Sequence, residues 1–367
     1  MSKNLGALPD SLLHEMVASN EFIKGAASKN IGPASLDLCI SEEVYRVNGM
    51  FLPRIGETIR SLIGRLDARQ HQNGAPFEHE VTYLARLNES LSLQHGVYGY
   101  CNPKSSTGRH DVHVRVLADG VPSYDSVEPS GFSGELWVVI IPRSYPVIIP
   151  TNEPLSQLRL FNADTRLSEE EIEVMFSRWK PLYTLGGECL SYNDILIRDN
   201  DGSISLTLDL ESKIVGWEYS GQQRILDFTR GKKAYDSRDF FNPVAVHGER
   251  VYLRRGGFYI LSTAEAVRVP PCLACEMVSV NARMGEFRAH YAGFIDPGWG
   301  YGKDGDGKGR PLTLEVRPFE DLVIQKNQPI AKIEFERMTG LPDLHYDEKA
   351  ERNYGTQDGP KLAKHFK

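Results

Sequence analysis

The sequence predicts an all-β protein with a few short helices, organised as two domains. Three observations predict this. Helical periodicity is confined to two segments. Short β-like runs broken by Pro, Gly, Asn and Asp fill the rest of the chain. Several of those runs recur, in weakened form, in the second half of the chain.

Each element follows from its residues. LPDSLLHEMVASNEFI (8–23) has the apolar spacing of an amphipathic helix. TRLSEEEIEVMFSRW (165–179) has it again, with Ser168 at the N-cap and Glu171 in capping-box position. GELWVVIIP, PVIIP, ERVYL, GGFYIL and PLTLEV read as strands of a barrel or sandwich. Three pairs of stretches make the repeat: 33–47 with 205–217, 79–93 with 248–262, and 103–120 with 278–294. The second helix lies between the copies, so the expected domains are 1–165 and 166–367, the latter opening with that helix as a linker.

A chain of 367 residues with 41% hydrophobic content can bury two separate cores. The net charge of −7 and the lack of a basic, aromatic-rich tract argue against nucleic acid as a partner. A few cations and backbone N–H groups would still suffice to hold a phosphorylated small molecule. No apolar run approaches the roughly 20 residues of a membrane helix, and no secretory signal is visible. Five cysteines, an odd number, fit a reducing cytoplasm better than a disulfide framework.

The chemistry concentrates in 278–315 and the strand that this stretch runs into. There a hairpin ending in IDPGW is followed by the glycine-rich loop GYGKDGDGKGR and the strand PLTLEVRPF. Alternation sets Leu312, Leu314 and Val316 on one face and Thr313, Glu315 and Arg317 on the other. In an anonymous strand the second face would be read as solvated.

These residues resemble the dCTP deaminase branch of the dUTPase superfamily. The likeness rests on Ser279-Val-Asn-Ala282-Arg283, on Ala292-Gly-Phe-Ile295-Asp296-Pro297-Gly298-Trp299, and on Leu314-Glu315. A tail with Tyr346 and Asn353-Tyr354-Gly-Thr-Gln357 extends it, as does the opening helix followed by PASLDL. The resemblance implies two dUTPase-like β-barrel/β-clip domains and metal-independent deamination of dCTP to dUTP and ammonia, feeding pyrimidine deoxynucleotide synthesis. It implies that Glu315 moves the protons, which needs a carboxylate shielded from bulk water. Ser279 and the Ala292 carbonyl would hold the water, and Arg283 would orient the carboxylate and offset developing charge. Backbone groups of His290–Ala292 would read the base. Asp296, Thr313, Leu314, Tyr346 and Gln357 would contact the nucleotide, the tail folding over it. Asn353 departs from the family's usual lysine. The implied cofactor is Mg2+ carried by the triphosphate without a protein cage, and no zinc. The implied assembly is a homo-oligomer, a trimer in the family, although a duplicated chain could meet those contacts internally.

The copies differ. Lys104, Ser105, Ser106 and Arg109 keep a phosphate-type loop in the first copy, where Val278–Arg283 is aligned against them in the second. Val139 stands where Glu315 falls. The expectation is one working site per chain, built on Glu315, with the 104–109 loop as a candidate phosphate grip. Alternatives are dUTP diphosphatase or bifunctional activity, a non-catalytic nucleotide-binding regulator, and a zinc deaminase. The last rests on His247-Gly-Glu249 and Pro271-Cys272-Leu-Ala-Cys275, which fit H-x-E…P-C-x-x-C but lie in strand-like context. Asp304, Asp306, Gly309 and Glu315 fall at EF-hand positions, but Lys308 and Pro311 break that pattern, leaving a flexible loop before a strand.

Overall fold

The computed structural model describes residues 4–128, 130–195, 201–278, 280, 293–350 and 354–367, together with the backbone of 287–288. It is an all-β chain with a few short helices. The chain divides into two compact units. One comprises Met1–Ala163, Gly221–Tyr235 and Ala363–Lys367; the other comprises Asp164–Ser220 and Asp236–Leu362. Among the described residues no helix is long and apolar enough to cross a membrane.

In the first unit helix α1 spans Asp10–Ser19. It is shorter than its periodicity suggests, because Asn20 turns left-handed at φ 54° and its N–H caps Val17 O. Then come β1 (Leu36–Val47), α2 (Ile59–Ile63), β2 (Thr82–Leu93), β3 (Tyr98–Pro103), α3 (Ser105–Gly108), β4 (Val112–Ala118), β5 (Phe132–Pro142) and β6 (Pro154–Phe161). They pair antiparallel in the order β4-β5-β2-β1-β6-β3. The last residues of the chain belong to this unit. Tyr235 N–H donates to His365 O at 3.0 Å and Lys367 N–H to Tyr235 O at 2.9 Å. The His365 ring is buried, its Nδ1 2.7 Å from His110 Nε2, while His110 Nδ1 lies 2.9 Å from the Tyr145 hydroxyl.

In the second unit α4 spans Glu169–Trp179, with the Ser168–Glu171 capping box formed. The strands are β7 (Ile204–Thr207), β8 (Gly216–Tyr219), β9 (Arg250–Leu253), β10 (Tyr259–Val267), β11 (Leu273–Val278), β12 (Arg310–Pro318), β13 (Leu322–Gln325) and β14 (Pro329–Arg337). One sheet is centred on β8-β10-β12 and a second on β7-β14-β11, while β9 and β13 form a separate ribbon. Their apolar faces close on one core that includes Leu206, Leu261, Cys275, Leu314, Val316 and Phe335.

The strand registers give the repeat its true alignment. Strand β2 pairs with β5 through Leu84↔Val139 and Arg86↔Trp137, then slips at a bulge before Ser90↔Glu135. Strand β10 pairs with β12 through Ile260↔Glu315 and Ser262↔Thr313, then slips before Ala266↔Pro311. Val139 thus corresponds to Glu315, Trp137 to Thr313, Tyr83 to Tyr259 and Glu89 to Glu265. The counterpart of β2 is therefore β10, whereas much of the 248–262 stretch matched by sequence forms ribbon strand β9. Likewise Cys39↔Pro154 and Thr207↔Pro329, each beside a slip, equate Cys39 with Thr207 and shift the first repeat pair. A strand shared between copies is defined by which residue it faces across the ladder. Identity over a few letters does not specify that.

Candidate active site

Glu315 sits on β12, an interior strand of its sheet, flanked by β10 on one side and by the backbone of Phe287–Arg288 on the other. Its residue is 1% exposed. Thr313, on the same face, is also buried. This face is therefore not the solvated one that alternation alone allows. Leu314 points the other way into the core. Ile260 pairs with both Glu315 and Trp217, so the tryptophan shares the face of the carboxylate.

The tail explains part of this shielding. It runs along β12 in the direction of Glu315. Arg310 Nη1 lies 2.6 Å from Asp347 Oδ1. Gln357 Nε2 donates to Pro311 O at 2.7 Å, and Lys361 N–H donates to Thr313 Oγ1 at 3.4 Å. Trp217 Nε1 donates to Pro360 O at 2.9 Å. Gln357 is buried. A polar end that composition marks for disorder is thus tied down by backbone and side-chain hydrogen bonds.

Tyr346 opens a short helical turn, Tyr346–Glu348. Its N–H donates to Pro297 O at 2.8 Å, and its ring lies 5.0 Å from Trp299. Asp296 stands half-buried in the same IDPGW turn. Gly298 there has φ +84°, and a Cβ would come within 2.3 Å of His345 Nδ1, so the turn admits only glycine.

The loop before β12 is stapled rather than flexible. Gly307 N–H donates to Tyr301 O at 2.8 Å and Gly309 N–H to Gly300 O at 2.9 Å. A Cβ on Gly307 would meet Gly300 O at 2.4 Å. The Arg268 guanidinium lies 4.3 Å from the Tyr301 ring centre and donates to Gly305 O at 2.7 Å. The run of glycines thus serves close backbone packing.

Ser279, Arg283 and Ala292, with the backbone of His290–Ala292, lie outside the described residues, as does Asn353.

The same face of the first unit is apolar. Val139 and Trp137, the counterparts of Glu315 and Thr313, pack with Leu84, Leu117 and Ile59 of α2, and Phe51 leans on them. Arg60 of α2 clamps this cover. It donates to Glu43 at 2.9 Å and to Glu135 at 3.0 Å, with its guanidinium 5.4 Å from the Trp137 ring centre.

The 104–109 loop follows β3, and Lys104 already forms an ion pair with Asp37. Ser105 and Ser106 open the short α3, and Arg109 is buried. Registers Gln157↔Asn102 and Lys332↔Val278 equate Val278 with Asn102, not with Lys104. The loops that follow also differ in length, since β4 at Val112 and the Phe287 strand face the equivalent Pro142 and Pro318. Val278 therefore does not stand where Lys104 does.

Two acids, Glu89 buried and Glu265 half-buried, escaped sequence reading. Glu265 accepts from Thr207 N–H at 2.8 Å and from its hydroxyl at 2.7 Å. Burial raises its carboxyl above the ordinary range. Glu89 accepts Cys39 N–H at 3.0 Å, and burial pushes it up to about 7. The signal was the spacing from Tyr83 to Glu89, repeated from Tyr259 to Glu265, visible only in the right register. Arg310–Asp347 gave no local signal at all.

His247 packs its ring on Tyr252, Cys275 lies in the core on β11, and Cys272 is half-buried before it. Among the described residues no group of three or more His, Cys, Asp and Glu gathers to hold a metal.

Two family models match the chain. The model of the 2'-deoxycytidine 5'-triphosphate deaminase N-terminal domain matches residues 4–164, and that of the C-terminal domain matches 189–366. The crystal structure of 2'-deoxycytidine 5'-triphosphate deaminase from Agrobacterium tumefaciens is similar at 32% identity and a TM-score of 0.82. The match covers 93% of this chain and 97% of that one. Comparison with curated proteins finds no match.

Proposed function

The chain belongs to the 2'-deoxycytidine 5'-triphosphate deaminase family, and on that premise we propose that its second unit converts dCTP and water into dUTP and ammonia, with Glu315 as the proton carrier. Glu315 takes a proton from water, and the oxygen adds to C4 of the cytosine ring. The carboxylic acid returns that proton to N3. It then carries the second proton of the water to the exocyclic amine, which leaves as ammonia while the C4 carbonyl forms. Ser279 and the Ala292 carbonyl hold the water, and Arg283 orients the carboxylate and balances charge as it develops. Asp296, Thr313, Leu314, Tyr346 and Gln357 bind the nucleotide beneath the tail.

The observation that carries this reading is the burial of Glu315, 1% exposed, on a polar face crossed by the tail. Shielding of that kind lets one carboxyl both accept and donate a proton near working pH. The first unit has the opposite character at the same position, an aliphatic side chain within an apolar cluster. One working site per chain follows.

Lys104, Ser105, Ser106 and Arg109 are read as a phosphate-type loop retained by the first unit. Mg2+ accompanies the triphosphate as part of the substrate. The assembly is read as a homo-oligomer, a trimer, in the cytoplasm. The test is product analysis: dCTP in, with ammonia and dUTP measured together. Pyrophosphate release from dUTP in place of ammonia release would overturn the reading.

A further inference from the structure

The glycine-rich loop, the start of β12 and the turn bearing Tyr346 meet at one carboxylate. Asp347 is buried, and its two oxygens serve different elements. Oδ1 takes the Arg310 guanidinium at 2.6 Å, and Oδ2 accepts Gly302 N–H at 2.8 Å. Arg310 in turn lies 5.7 Å from the Trp299 ring centre, and Trp299 packs on Tyr346. Arg310 begins the strand that carries Glu315, and Asp347 follows Tyr346 directly in sequence.

We propose that Asp347 is a positioning residue, clasping the glycine-rich loop to the first residue of β12 and thereby setting Tyr346 and the tail against bound nucleotide. The inference rests on the nucleotide role read above for Tyr346 and the tail. A carboxylate serves better than an amide here, because Asp347 is buried and the half-buried Arg310 guanidinium gives its charge an opposite partner at hand. The clasp touches no reacting atom, so its loss acts on binding before chemistry.

The test separates the two readings by measuring binding without turnover. In a Glu315→Gln background, dCTP with Mg2+ is titrated calorimetrically into the full chain with and without Asp347→Asn. The added substitution is expected to weaken binding about tenfold. In the otherwise unaltered enzyme, Asp347→Asn is expected to raise KM by a similar factor and to change kcat less than threefold. It is also expected to abolish the protection that dCTP gives against trypsin at Lys349. Arg310→Lys keeps the charge but not the fork, so it is expected to give an intermediate loss, and it serves if Asp347→Asn fails to fold. Binding within twofold for either folded variant, or a fall in kcat at unchanged KM, overturns the clasp. Undiminished turnover by Glu315→Gln alone would instead overturn the catalytic reading and leave the binding comparison valid.

Discussion

Glu89 and Glu265 are the same residue of the repeat, the first buried and the second half-buried, each an acid at a strand slip that accepts a backbone N–H from the equivalent positions Cys39 and Thr207. Both are pushed upward by burial, Glu89 to about 7 from 4.5. Between those pH values the folded chain keeps a proton that the unfolded chain has released. The contribution of Glu89 to stability is therefore full below about pH 4.5 and is lost as pH rises through 7, roughly 3 kcal/mol in all. Glu89→Gln, which keeps an acceptor for Cys39, is expected to remove that loss. Thermal unfolding at pH 5 and pH 8 checks it: the variant should melt higher than the parent at pH 8 and alike at pH 5.

The His110–His365 pair has the opposite sign. Burial lowers both rings, His365 to about 4, with Lys364 adding to the effect. The unfolded chain takes up a proton first as pH falls below 6.5, so stability present above that value is lost toward pH 4. Protection of the Tyr235 and Lys367 amides against hydrogen exchange should fall from pH 7 to pH 5. His365→Phe, which can keep the stack on Phe228, should shrink that fall and leave the part due to buried His110.

Restoring the missing acid to the first unit should not create a second site. Val139→Glu places a carboxylate among the buried apolar side chains of Trp137, Leu84 and Ile59. Denaturant unfolding of this unit should show a loss of about 3 kcal/mol or more, with no gain in turnover.

The phosphate-type loop is tested by Lys104→Ala combined with Arg109→Ala. Affinity for dCTP should fall about tenfold in protein that still melts cooperatively. Unchanged affinity would make Lys104 a purely structural partner of Asp37.

Much of this was legible in the sequence, because it depends on local rules. The α4 capping box needs only Ser168 and Glu171, three residues apart. The β12 face needs only alternation, and IDPGW with Leu314-Glu315 carried the family. What stayed hidden depends on distance along the chain. Strand register is set by which residues face each other across β2–β5 and β10–β12, so a repeat matched by letters slid by several positions. The glycine-rich loop reads as flexible until Tyr301, Arg268 and Gly305 are seen to staple it. The apolar lid of α2 over Val139 could not be foreseen either, since nothing in 48–68 marks which face it covers.

The account depends most on Glu315 as the proton carrier, and Glu315→Gln tests it directly. Metal-depleted protein is given dCTP with Mg2+ alone, and ammonia and dUTP are measured beside dCTP binding. The parent should release one ammonia per dUTP, and the variant should bind dCTP within a few-fold yet lose at least about 10³ in turnover. Ammonia release by the variant at a rate near the parent's would contradict the account.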